Sequence, residues 1–143
     1  MAVFTVKQLR QRVAGAVDAV TGFAEVPFTA FNFKSVSQHK ANKGFAVHVS
    51  DTAIHSNGVR QARSEGAYVI TNFEVLFYQR LLVTNKVSSY DDSLDTENTI
   101  RLAVMGASQA DVHIKYLSSN RQTDGSFVLI SLTFEAIHRL TLE

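Results

Sequence analysis

Residues 68–82 run YVITNFEVLFYQRLL, and their alternation decides the fold. In an extended chain successive side chains point to opposite faces. Val69, Thr71, Phe73, Val75 and Phe77 then share one face, while Ile70, Asn72, Glu74, Leu76, Tyr78 and Arg80 share the other. The run is rich in β-branched and aromatic residues, which favour strands. One face is almost wholly apolar and the other mixed, so the expected strand lies in a sheet with one face fully buried.

Comparable patterns lie on both sides. Upstream, Phe45, Val47 and Val49 alternate with Ala46 and His48, after a turn at Gly44. Downstream, Val112, Ile114 and Tyr116 predict a strand, and Val128, Ile130, Leu132, Phe134 and Ala136 alternate with Leu129, Ser131, Thr133 and Glu135 in a last long one. The polar residues 118–125, closing in Asp124-Gly125, read as a turn segment between these two. Residues 51–66, with Asn57-Gly58 and Gly66, read as a long hairpin loop or an arm. Pro27 separates the N-terminal region from a run carrying Phe28, Phe31 and Phe33.

Two helices complete the layout. Thr5 and Gln8 make a capping-box signature, and Phe4 is placed to staple onto Leu9. Val6, Leu9, Val13, Ala16, Val17 and Val20 form an apolar stripe about 100° wide, predicting a helix over 5–21 stopped by Gly22. Asp91-Asp92-Ser93 reads as a second helix start, with Asp95 and Glu97 in its first turn and an end near Gly106. Short turns between strands predict an α+β fold over 1–143: a mostly antiparallel sheet with the N-terminal helix and the second helix packed on one face.

The totals agree with one domain. The chain has 143 residues, 45 % hydrophobic and 19 % charged, which is globular composition. Ten Phe and no Trp predict a core built on phenylalanine. With no Cys, disulfides and thiolate-ligated zinc are excluded. A formal net charge of +1 argues against a dedicated nucleic-acid binder. No run approaches the roughly 18 apolar residues that cross a bilayer. Lys7, Arg10 and Arg12 interrupt any secretory pattern at the N-terminus, so no membrane partner and a cytoplasmic site of synthesis are expected.

Candidate chemistry is sparse. His39, His48 and His55 are spaced by nine and seven residues, neither of which joins two imidazoles on one helical turn as a compact zinc motif does. His113 and His138 are isolated. Asp91, Asp92 and Asp95 lack the glycine and distal glutamate of a calcium loop. There is no nucleophile elbow, P-loop or dinucleotide fingerprint. Catalytic, metal and cofactor residues are therefore expected to be none.

Interfaces are better represented. Arg60 and Arg63, with Ile54 and Val59, lie in the 51–66 segment, where guanidinium groups suit an acidic partner surface. In the second helix Ile100, Ala103, Val104 and Ala107 form one apolar side, and Leu94, Leu102 and Met105 fall roughly opposite. A surface helix of a monomer needs one such stripe; a second predicts burial against another subunit, with a frayed helix end or a longer C-terminal segment laid over it as the alternatives.

The order of elements, ending in the strand Phe127–Glu135 (FVLISLTFE), resembles the tail-terminator proteins of long-tailed phages and the related head–tail joining, or neck, proteins. The likeness is in element order and size over nearly the whole length, with no short motif shared. It implies a homo-oligomeric, hexameric ring that caps the tail tube, ends its polymerisation and offers the head a docking surface. The partners implied are the tail tube protein and a head-side neck protein, with DNA only as cargo passing through the lumen. No cofactor and no catalytic residue are implied, and the place is the virion, assembled in the host cytoplasm. Other readings remain open: a head–tail stopper, a tail-tube or baseplate subunit, a nucleic-acid-binding module, or a small enzyme using His48 or His55.

Overall fold

The computed structural model describes residues 5–20, 22–25, 43–54, 67–81, 84, 86–108, 112–124 and 127–140. These form helix α1 (Val6–Asp18), strands β1 (Ala24–Glu25), β2 (Gly44–Ile54) and β3 (Ala67–Arg80), helix α2 (Lys86–Met105), and strands β4 (Val112–Asp124) and β5 (Phe127–Leu140). The sheet order is β1-β2-β3-β5-β4. Every pairing is antiparallel except the short parallel contact of β1 with Gly44 and Phe45. The α+β architecture is the one the patterning predicts.

The face of β3 carrying Val69, Thr71, Phe73, Val75 and Phe77 is buried throughout. Its partners on that face are Phe45 and Val47 of β2, Ile130, Leu132, Phe134 and Ala136 of β5, and Val112 and Ile114 of β4. The helices add Leu9, Val13, Val17, Ile100 and Val104 to the same cluster, so both lie on one side of the sheet. Phenylalanine does hold this core together: Phe73 and Phe134 stack at 5.4 Å, and Phe23 meets Phe77 edge-on at 5.6 Å.

Helix α1 begins as predicted. Gln8 N–H donates to the Thr5 hydroxyl (3.1 Å) and Thr5 N–H donates to the Gln8 carboxamide (2.9 Å), which satisfies two amides of the first turn. The helix ends at Asp18, three residues short of the expected limit, with Gly22 (φ 87°) turning the chain beyond it. The Arg10–Glu25 ion pair (2.6 Å) then ties α1 to β1.

Three boundaries differ from expectation. Helix α2 starts at Lys86, not at Asp91-Asp92-Ser93, so those residues, Asp95 and Glu97 lie beyond its first turn. Asp91, Asp92 and Asp95 are exposed, and the acidic cluster is a solvated flank of the helix where a cap was expected. Residues 118–124 are strand, paired with Phe127–Thr133 of β5, and Gly125 lies outside the described residues. Residues 51–54 extend β2 against Val69–Asn72 of β3, and the rest of the segment read as a loop or arm lies outside the described residues. Register shifts at Ser50 and Leu117 bulge β2 and β4. Phe4, Phe28, Phe31 and Phe33 lie outside the described residues.

Candidate functional site

The predicted interface residues do not converge. Val59, Arg60 and Arg63 lie outside the described residues, and of Ile54 the structure describes only the backbone, paired with Val69. In α2, Leu102 is 57 % exposed and Leu94 is half-buried, but Met105 packs against the core. Val87, which the sequence reading passed over, is 78 % exposed. At about 100° per residue, Val87, Leu94 and Leu102 fall within about 80° of one another, on the side away from the buried Ile100 and Val104. Of the three residues expected there, Leu102 alone is exposed; Leu94 is half-buried and Met105 packs against the core.

Helix α2 is fastened to β4 by other side chains. Arg121 of β4 grips Glu97 with two guanidinium nitrogens, at 2.6 and 2.5 Å. Those hydrogen bonds hold the Arg121 guanidinium above its ordinary pKa, so it stays charged at any working pH. Arg101 lies over the Tyr116 ring at 5.4 Å, a second tie between the same two elements. Leu117, bulged out of β4, is 44 % exposed.

The other face of the sheet carries a carboxylate centre. Glu74 faces His48 across β2 (Oε1 to Nδ1, 3.2 Å) and accepts a hydrogen bond from Ser131 of β5 (Oε2, 3.0 Å). Beside it, Glu74, Leu76, Asn120, Gln122, Leu129 and Ser131 line a depression of about 230 Å³. These are the residue types of an acyl-transfer triad, in the wrong order. A triad needs the serine on one imidazole nitrogen and the acid on the other. Here serine and histidine occupy the two oxygens of a single carboxylate, so Glu74 orients both and the contacts activate neither.

His138 is a core histidine. It is 1 % exposed, its Nε2 lies 2.8 Å from the Thr71 hydroxyl, and that hydroxyl lies 3.0 Å from the hydroxyl of Thr52. This row of polar groups bridges β2, β3 and β5 within the sheet. His113 is exposed on β4, and His39 and His55 lie outside the described residues. Among the described residues, no three His, Cys, Asp or Glu side chains group as metal ligands would. Among the described residues, no helix is long and apolar enough to cross a membrane.

Sequence reasoning missed the Glu74–His48–Ser131 contact because its members come from three strands, and their meeting depends on register. Its one visible signal was the charged Glu74 inside an otherwise strand-forming run. No family model and no curated protein sequence matches the chain.

Proposed function

We propose that this chain is a structural virion protein, forming a homo-oligomeric ring at the end of a phage tail tube. There it ends tube polymerisation and gives the head its docking surface. The observation that carries the reading is the second apolar stripe of α2, with Val87 and Leu102 exposed on the side opposite the core. An isolated exposed leucine is ordinary; exposed Val87 and Leu102 with half-buried Leu94 aligned along one helix, opposite Ile100 and Val104 in the core, suit a surface that another subunit covers. The element order supports the tail-terminator family in particular, and a hexamer is the assembly that family implies.

The His48-dependent enzyme is the weaker reading, because the carboxylate-centred contact supplies no activated nucleophile. Light scattering after size exclusion, run across a concentration series, tests the ring. A closed species near six times the 15.8 kDa subunit, seen as rings in negative-stain images, is the expected result. A strict monomer at every concentration removes the support drawn from α2.

A further inference from the structure

We propose that the depression beside Glu74 is a socket for an arginine side chain of a protein partner. The socket is independent of the ring, because it draws on none of the residues in the outer stripe of α2.

Glutamate is disfavoured in strands, and a carboxylate taken partly out of water needs donors to offset the loss. Glu74 nevertheless stands on β3, between β2 and β5, with its side chain 31 % exposed. A carboxylate offers about four lone-pair sites. His48 Nδ1 lies 3.2 Å from one oxygen, and the Ser131 hydroxyl donates to the other at 3.0 Å. These are the polar contacts of Glu74 among the described residues, so each oxygen retains room for a further donor. The Ser131 hydroxyl has given its proton to Glu74 and keeps its own lone pairs.

Register builds the hollow. Leu76, Ser131 and Asn120 stand in one row across β3, β5 and β4, and Leu129 pairs with Gln122 in the next. Ser131 is the short side chain between Leu76 and Asn120, which leaves the sheet dished there. Leu76, 8 % exposed, and half-buried Leu129 supply apolar wall. Asn120 and Gln122 are exposed, and their carboxamides make no hydrogen bond among the described residues. The described lining thus presents one negative charge and several oxygens, with no Lys or Arg.

The complementary guest carries positive charge, donates several hydrogen bonds and trails an apolar stem. A guanidinium spreads five N–H donors over a planar fork, and arginine lays its methylenes on apolar surface. Lysine gathers its three donors at one point, whereas the acceptors here span three neighbouring strands about 4.8 Å apart. The volume of about 230 Å³ is smaller than the roughly 300–1,000 Å³ of pockets that enclose a drug-sized ligand, so it suits a single side chain. Free arginine would bring its own carboxylate beside Glu74, with no lining cation to receive it. Within a polypeptide that charge is absent.

The test titrates the labelled 15.8 kDa chain with acetyl-Gly-Arg-Gly-amide and its lysine and citrulline counterparts, following backbone amide shifts by NMR. Saturable shifts centred on Glu74, Asn120, Gln122 and Ser131 are expected from the arginine peptide. Citrulline keeps the shape without the charge and should bind about tenfold more weakly. Glu74→Gln should cost a similar factor, and Ser131→Leu, which fills the hollow, should abolish binding. The exposed pair Asn120→Ala with Gln122→Ala should weaken it without disturbing the fold, judged by circular dichroism. No saturable shift, shifts centred elsewhere, equal binding of the lysine or citrulline peptide, or undiminished binding by folded Glu74→Gln overturns the proposal. Free arginine binding more tightly than the blocked peptide assigns the depression to a small molecule and overturns the protein partner.

Discussion

The two helices teach different lessons. Helix α1 has one apolar stripe, with Leu9, Val13 and Val17 fully buried and polar residues such as Lys7, Gln11 and Asp18 exposed. Everything it needs lies within the chain: a cap at Thr5, a core beneath, solvent above. Helix α2 buries Ile100 and Val104 just as completely, yet it also buries Ser89 and Ser93 and turns Val87 and Leu102 outward. One helix is finished by its own fold; the other has polar residues inside and apolar residues outside. The ring proposed above would supply a neighbour where local chemistry and burial disagree in this way.

The largest effects should treat the helices alike. Leu9→Ala and Ile100→Ala each remove a fully buried side chain, and each should cost about 2–5 kcal/mol in denaturant unfolding. A cost well under 1 kcal/mol at Ile100 would mean α2 is not docked through that stripe. Next comes the cap: Thr5→Ala should lower stability by about 1 kcal/mol, and Thr5→Ser should keep most of it. No such cap sensitivity is expected at Asp91 or Asp92, which lie beyond the first turn of α2. Glu97→Gln should cost about 0.5–1 kcal/mol, because Arg121 is partly exposed and water screens the pair; added salt should shrink the difference. Smallest in the monomer, Val87→Ser with Leu102→Ser should change unfolding by no more than about 0.5 kcal/mol. The same pair of changes should reduce the mass measured by light scattering. If mass is unchanged while stability falls by several kcal/mol, the outer stripe belongs to the fold after all.

Much of the sheet was legible because alternation is a local signal. Phe73, Val75 and Phe77 mark the buried face of β3 without reference to any partner, and Thr5 with Gln8 marks the start of α1. What failed were elements defined by something distant. Residues 118–124 carry Ser, Asn, Gln and Thr and resemble a turn; they are strand because β5 offers them a ladder, and their side chains are mostly exposed on an edge. The start of α2 was read five residues late because Asp91 and Asp92 mimic a cap, while Ser89 and Ser93 disguise a buried face as polar. Strand β1, two residues long, has no period to detect. The Glu74 contact depends on register, which is a property of pairing and not of any one segment. Of the interface residues read from the sequence, Leu102 holds its place on the exposed flank and Met105 does not.

Strand β5 is the last described strand in the chain, yet it lies inside the sheet, between β3 and β4. It pairs with β3 over 14 positions and with β4 over nearly as many. Until it is synthesised, β3 lacks its partner strand on one side and β4 lacks the strand it pairs with. The sheet can therefore close only once β5 has left the ribosome. Such long-range closure slows folding and favours mispairing between nascent chains. A cell making many copies at once would depend on chaperones during that interval, and yield should improve when translation is slowed by cooling.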